Sequence, residues 1–559
     1  MMSEDLTPGG NPPTTTTFAT STPKYASTGN DKSFIHISDL HISEKRNFSK
    51  SNLKNFCDNL FPKLVGGVLF LAITGDFTDG FSDFVSFEKF GQQENDWKAF
   101  REAIEGCART GVPILSVRGN HDTYDVEHFH HETNKWFREF QSELGRSLSR
   151  SEFEKSIHKD TGSFAIIHKA SRSRFAFIEA SRIIPSPHQY HGEFSVSQET
   201  WLKNWVKGPS NKLALKTYVF IHYPLGSLVP DSRSRLLRSV ANSASPVVYL
   251  SGHIHSVVGK QGVQALQSHE KVDELQISDF KWSGTVRKVN IETSMFVDIP
   301  TIGVEFSDTQ LWASASLLID PQTKNKSVIS VFSNFGIISV TKCGSANPLT
   351  KLSHISEISI FEAPDEPCLS LSTFGGSADI LPVDTRLPAG TFGRYFFSYW
   401  FEWLQLIVFV EYILLIAIAR RFFSKSGNLL TALYLVLSPI FPNITFEGVY
   451  GKPWIVANSV AMFDLETAEI ILDSDTTRVG LMLLLYIILA TGINWKEALL
   501  RSHFAYITAT LVMLLFTLVD LRVNLARGGL KCLFLSPHSW FIGYVSYVWL
   551  KPAGRDKTE

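Results

Sequence analysis

The chain has 559 residues, more than one hydrophobic core can serve, so roughly three or four domains are expected. Its 53 Lys+Arg balance 54 Asp+Glu, which excludes a bulk electrostatic affinity for nucleic acid. Five cysteines without a C-x-x-C pair are too few and too scattered for a disulfide-built scaffold or a zinc module.

Residues 1–30 are rich in Thr, Ser, Pro and Gly and hold no apolar run. This predicts a disordered tail without a signal-peptide core. From 31 to 260, short apolar strands alternate with helical patterns. The strands are read at Phe34–Ser38, Val68–Thr74, Ile114–Val117, Phe175–Glu179, Thr217–Ile221 and Val247–Leu250. Trp97, Phe100, Ile104 and Cys107 recur at helical spacing, with Gly111 as a stop. Ser195 and Gln198 make a capping box before Trp201, Leu202 and Trp205. The alternation predicts an α/β layered domain with helices covering a central sheet.

From 261 to 394 the runs Leu311–Ile319, Ser327–Phe332, Gly336–Val340 and Ile355–Phe361 read as strands between turn residues. They predict a β-rich, immunoglobulin-like sandwich. Cys343 and Cys368 fall in this region, either as a pair or as two buried thiols. From 395 to 550 the chain is repeatedly apolar. Five transmembrane helices are expected, near Phe396–Ala419, Leu429–Ile444, Val479–Ile493, Phe504–Val519 and Leu533–Leu550, before a polar tail at 551–559.

Five short motifs occur in order, each just after an apolar strand. They are Asp39-Leu40-His41, Gly75-Asp76-Phe77-Thr78-Asp79, Gly119-Asn120-His121-Asp122, a lone His222, and Gly252-His253-Ile254-His255. Loops leaving one edge of a sheet converge, so these residues are expected in one cleft. Carboxylates and imidazoles gathered there need positive charge among them, and Asp, Asn and His together suit first-row metals. Asp79 is read as a cap for the next turn or a partner to a ligand, and His36 as a strand residue. His188 and His191 are read as loop residues.

This ordered set resembles the calcineurin-like metallophosphoesterases over about Phe34 to Ser256. The resemblance implies two divalent or trivalent metal ions (Mn, Fe or Zn). Asp39, His41 and His255 would hold one, Asn120, His222 and His253 the other, and Asp76 would bridge them. It also implies hydrolysis of a phosphate ester by a hydroxide held between the metals. His121 would donate a proton to the leaving oxygen or stabilise developing charge, with Asp122 orienting it or making a structural hydrogen bond. With its β-rich region and apolar tail, the chain is similar to the multispan membrane metallophosphoesterases of the transmembrane protein 62 kind. Gly451-Lys452-Pro453-Trp454 is similar to a loop of that group.

The expected partners are a phosphate-ester substrate and the lipid bilayer, with no nucleic acid; no protein partner is readable. The alternative is a membrane receptor or scaffold using a catalytically idle phosphoesterase fold. Glu411, inside the first expected span, gives slight support to transport. With five spans, the loops on the C-terminal side carry eight basic residues against five opposite, which puts the C-terminus in the cytosol. The hydrolase would then be lumenal or extracytoplasmic, in an endomembrane glycoprotein with sequons at Asn47, Asn325 and Asn443. That placement implies a leader segment ahead of this sequence.

Overall fold

The computed structural model describes residues 33–384, apart from short stretches of which 81–90, 145–152, 182–190, 209–215, 256–265, 303–312 and 320–326 are the longest. It also describes the strand residues 442–447, 452–457, 461–464 and 470–472. Strands β1 (Ser33–Ile37), β2 (Val68–Thr74) and β3 (Ile114–Val117) pair in parallel, as their continuous apolar runs require of strands buried on both faces. A second sheet follows from β4 (Phe153–Ile157), β5 (Phe164–His168), β6 (Ser173–Phe177), β7 (Lys216–Phe220), β8 (Val247–Ser251), β9 (Leu266–His269) and β10 (Val272–Gln276). Its order is β4-β5-β6-β7-β8-β10-β9, parallel from β6 through β10. The chain then returns to the first sheet through β11 (Thr285–Asn290), antiparallel to β1, and β12 (Phe296–Pro300) at its edge.

The two sheets face each other across a layer of aromatic rings. Phe34 and Phe70 meet Phe175, Tyr218 and Phe220 with centroids between 5.0 and 6.1 Å apart, mostly edge to face. Alternate residues point outward. Helix α1 (Asn47–Asn55), the single turn α2 (Phe61–Leu64), α3 (Glu94–Arg109) and α4 (Lys135–Leu144) join the core of the first sheet. α5 (Val196–Lys207) and α6 (Pro230–Ala241) cover the outer face of the second. α3 buries Trp97, Phe100, Ile104 and Cys107 and ends at Gly111 with φ +77°. The Ser195–Gln198 capping box starts α5. The expected central sheet is therefore two sheets, because a parallel run does not by itself reveal which strands pair.

The strands from 266 to 300 belong to these two sheets by hydrogen bonding, so pairing runs past residue 260, where the sequence placed a boundary. Both regions read as strand, and periodicity carries no record of the partner. A further β-rich unit starts at β13 (Ala313–Ile319), and its Leu318, Val328, Phe332, Ile358 and Ile360 join the hydrolase core. It continues through β14 (Ser327–Ser333), β15 (Ile337–Lys342), β16 (Lys351–Ile355), β17 (Ile358–Glu362), β18 (Leu369–Thr373), β19 (Gly376–Ile380) and β20 (Val383–Asp384). These form a five-stranded and a three-stranded sheet that share a core around Leu317, Val331, Val340 and Leu371. The alternating serines of β13 and β14 satisfy the edge strand β12. Ser316 accepts from the Asp298 N–H at 2.8 Å, Ser314 donates to the Asp298 carbonyl, and Ser330 donates to that of Phe296. Arg287 and Asp298 form a fully buried ion pair beneath this seam.

Disulfides join Cys343 to Cys368 and Cys57 to Cys107, the latter tying α3 to the turn Phe56–Leu60. Beyond the β-rich unit, β21 (Pro442–Glu447), β22 (Lys452–Ala457), β23 (Ala461–Asp464) and β24 (Ile470–Leu472) form an antiparallel meander. This corrects the second expected span at its end, since Pro442–Ile444 are strand. The rest of that span and the other four lie outside the described residues. Among the described residues no helix is long and apolar enough to cross a membrane.

Asp96, in the first turn of α3, gives a pH test of this packing. Burial pushes its carboxyl up to about 6, although the Glu44 N–H donates to it at 2.8 Å. A carboxyl raised in the folded state contributes stability that is intact below its ordinary value of 3.8 and is lost as pH rises through about 6. Asp96→Asn keeps the acceptor and removes the charge. It is expected to stabilise the protein at pH 7 by on the order of 2 kcal/mol and to do little at pH 4. Melting curves at both pH values check this, and an equal shift at each would refute the assignment.

Candidate metal centre

Loops leaving β1, β2, β3, β7 and β8 meet at one end of the sandwich and bring all the motif residues together. Asp39 N–H donates to the Gly75 carbonyl at 3.0 Å and His41 N–H to that of Asp76 at 2.8 Å, lacing the first two loops. The Asp39 carboxylate accepts from the His253 N–H at 2.9 Å. Six non-glycine residues have positive φ among the described residues, and four of them (Asp39, His41, Asp76 and His253) are here. Each such conformation costs about 1–3 kcal/mol, so the loops are held against local preference to aim these side chains. Gly119 and Gly252 are needed for close approach. A Cβ on the first would strike the Asp76 carboxylate, and on the second Ser38 and Asp39.

Three overlapping groups of donors result, one of them His41, Asp79 and His121, and the other two share Asp76. Of these two, one holds Asp39, His41, Asp76 and His255, the other Asp76, His222 and His253. Asn120 Oδ1 completes the second, 3.0 Å from both His222 Nε2 and His253 Nδ1. Asp76 Oδ2 lies 3.4 Å from His41 Nε2 and 3.4 Å from His222 Nε2, so one oxygen is shared between the groups. His41 Nε2 and His255 Nε2 are 3.0 Å apart.

The hydrogen bonds on the far sides of the rings test whether metal ions fit. His222 Nδ1 is 2.7 Å from the Thr74 carbonyl and must be the protonated nitrogen there. Its Nε2 then faces a cluster of acceptors. His41 is placed similarly but by an ion-pair contact, its Nδ1 3.2 Å from Asp79 Oδ1 and its Nε2 toward the cluster. Imidazoles with one nitrogen on a carbonyl or carboxylate and the other aimed at oxygen and nitrogen acceptors are arranged as metal ligands are. The site's charge agrees. Burial would raise Asp39 and Asp76, yet His255 and His222 hold the first, and His222 and His121 the second, well below the usual carboxylate range. Burial would lower His222, but Asp76 and then Asp39 outweigh it and push it up to about 9. The residues present fit metal ions.

His121 and Asp122 differ from expectation in their contacts. The His121 ring is bonded at Nδ1 by the Asp79 carbonyl, and burial lowers its pKa to about 3, so it rests neutral. The Asp122 carboxylate accepts three backbone N–H groups, from Phe77, Thr78 and Gly119 at 2.9, 3.3 and 2.8 Å. Its bonding therefore braces two loops, and the structural hydrogen bond rather than the ring-orienting one is what the contacts contain. Asp79 meets His41 and also takes the buried Lys281 ammonium at 3.0 Å. His36 is a strand residue bonded to Thr74, and His191 is buried. His121, His253 and His255 are half-buried and form the side open to solvent.

Lys281 and the buried pair Arg118–Glu179 were not read from the sequence. Arg118 anchors the third loop, its N–H and Nε both donating to Glu179 at 2.9 Å. Its place directly before Gly119-Asn120 was the available signal. Lys281 had none, since it arrives from a turn, α7 (Phe280–Ser283), whose Phe280 and Lys281 N–H groups dock on the Ser38 and Asp39 carbonyls.

Residues 32–257 match the family model of the calcineurin-like phosphoesterases. The match covers the segment carrying every donor above. A curated relative, transmembrane protein 62 of Mus musculus, is 23% identical over 352 residues, covering 62% of this chain and 47% of that protein. The chain thus spans about half the length of that relative. A solved 5'-nucleotidase precursor from Thermus thermophilus is 11% identical, covering 48% of this chain and 53% of that one, with a TM-score of 0.25.

Proposed function

We propose that this chain is a membrane-bound two-metal phosphoesterase that hydrolyses a phosphate ester. The observation that carries the reading is the single Asp76 oxygen lying 3.4 Å from one histidine of each donor group, which suits a carboxylate bridging two ions. Asp39, His41 and His255 would hold one ion with it, and Asn120, His222 and His253 the other. Bound there, a metal pair supplies Lewis acidity toward the phosphoryl oxygens and lowers the pKa of water.

The chain's own residues do the rest. Asp39 and Asp76 supply fixed negative charge, and the Thr74 carbonyl and Asp79 carboxylate keep His222 and His41 in the tautomers a ligand needs. His121 sits beside the half-buried mouth. With Nδ1–H on the Asp79 carbonyl, its Nε2 carries no proton at rest. It therefore acts first as a proton acceptor, and a leaving oxygen receives a proton from it only after one has been taken up.

The test is a panel of aryl phosphomonoesters and bis-aryl phosphodiesters offered to the purified full chain with Mn, Fe or Zn. Metal-dependent turnover that disappears in Asp76→Asn is expected. A chain that retains its metals and hydrolyses none of the panel would favour the receptor or scaffold reading.

We propose further that the hydrolase lies on the lumenal or extracytoplasmic side. The two disulfides suit an oxidising compartment, and the Asn47 side chain is exposed at the start of α1. Glycosidase digestion of protein from a eukaryotic host should increase its mobility. Unchanged mobility, with cytosolic protease cutting the hydrolase domain in sealed vesicles, would reverse the orientation.

A further inference from the structure

Away from the metal centre, a cavity of about 430 Å³ opens where the two sheets end on the same side. β3 is the edge strand of the first sheet and β4 that of the second. Its walls are apolar, built from Leu115, Phe129, Phe164 and Ile157. Ile157 is 53% exposed, an apolar side chain left open to solvent on an edge strand. The charged residues that line it are all basic: Arg138 from α4, and Lys155 and Lys159 from β4 and the turn after it. Among the described residues no carboxylate lines the cavity, and Lys155 lies 5.2 Å from the centroid of the Phe164 ring. Neither lysine is paired with a carboxylate among the described residues.

We propose that this cavity is a second ligand site, for an amphiphilic anion: an alkyl or acyl chain carrying a carboxylate or phosphate head. The two halves of the lining each demand one half of that ligand. Apolar walls gain from removing a hydrocarbon chain from water, and a rim of one sign gains from a head of the other. A neutral chain would leave the cations unanswered, and a small hydrophilic anion would leave the walls wet.

The cavity also has a physical route to the metal loops. The Phe129 ring that lines it is the ring over which the Arg118 guanidinium lies, 5.2 Å from the centroid. Arg118 in turn is fixed to Glu179 and directly precedes Gly119-Asn120. Gly162 leaves room for Phe129, since a Cβ there would overlap the ring. A chain seated in the cavity therefore presses on a residue two contacts from a proposed ligand.

The test uses the full chain in lipid nanodiscs and a photoactivatable long-chain fatty acid. Labelled peptides are mapped by mass spectrometry. Labelling is expected within residues 114–164, suppressed by excess unlabelled fatty acid and not by the alcohol of equal chain length. Lys155→Glu with Lys159→Glu, both on exposed side chains, should reduce that labelling by about tenfold while metal content and aryl phosphate hydrolysis stay at wild-type level. Repeating the labelling in nanodiscs with and without an anionic phospholipid separates the two sources of the head. Suppression by the phospholipid assigns the site to membrane lipid, and indifference to it assigns the site to free fatty acid. Equal competition by the alcohol, labelling unchanged in the double variant, or labels spread without preference along the chain would each overturn the proposal.

Discussion

Asp76→Asn is expected to lower turnover by roughly 10³-fold or more and to reduce metal content at both positions. The substitution keeps the shape of the side chain, and Oδ1 can still accept the His121 N–H that it takes at 2.9 Å. What it removes is the charge on Oδ2, the atom between His41 and His222. Several of the neighbouring donors are neutral or become so on binding an ion, so Asp39 and Asp76 provide most of the negative charge. Losing one of two leaves a site too weakly anionic to hold a pair of multivalent cations. His121→Ala should behave differently: turnover falls by about 10²–10⁴-fold, with metal content close to wild type. Elemental analysis beside single-substrate kinetics separates the two effects. An Asp76→Asn protein that is fully loaded and active would rule out the shared-oxygen assignment.

The site was legible because its residues sit where strand periodicity stops. Each motif follows a short apolar run, and five such runs are strands ending at the cluster. Small donor-rich turns after buried strands leave few other physical explanations. Partners reached through tertiary contact left no comparable trace. Asp79 was read as a possible partner of a ligand because it is three residues from Asp76, but Lys281, which neutralises it, lies 202 residues further on. The role of Asp122 was blurred for a related reason. Adjacency to His121 suggested a ring contact, whereas a tight turn sends neighbouring side chains in different directions.

Sheet partnership was the larger omission. β10 and β11 complete the hydrolase sheets, whereas β13 and β14 pair in a sheet of their own and divide their side chains between the hydrolase core and a second core. The serines of β13 and β14 looked like ordinary polar positions of a half-exposed strand. Ser314, Ser316 and Ser330 are instead buried, bonding the backbone of β12, so polarity there reported an interface and not solvent. The pairing of Cys57 with Cys107 was hidden for the same reason, because helical spacing assigned Cys107 to a core face without showing what faced it. In the apolar C-terminal region, Lys452–Ala457 and its neighbours were read as a loop between spans. Short alternating strands bounded by Gly and Pro look alike in both settings.

Asp122→Ala should destabilise the protein by several kcal/mol and lose metal and activity together. The fully buried carboxylate accepts from Phe77 and Thr78 on the loop after β2, and from Gly119 on the loop after β3. Removing it strands three buried N–H groups, each worth about 1–3 kcal/mol when unsatisfied, although some relaxation will recover part of this. The two loops it joins carry Asp76 and Asn120, one in each donor group. Once they separate, the shared oxygen no longer stands between His41 and His222, and affinity for both ions falls. Asp122→Asn should be intermediate, since its amide keeps one acceptor oxygen and turns an NH2 toward a backbone donor. A residue that only oriented His121 would give another pattern: Asp122→Ala would then match His121→Ala, with metal retained, the melting temperature unchanged and turnover alone reduced. Calorimetric melting, elemental analysis and turnover measured on the same three variants decide between the two roles.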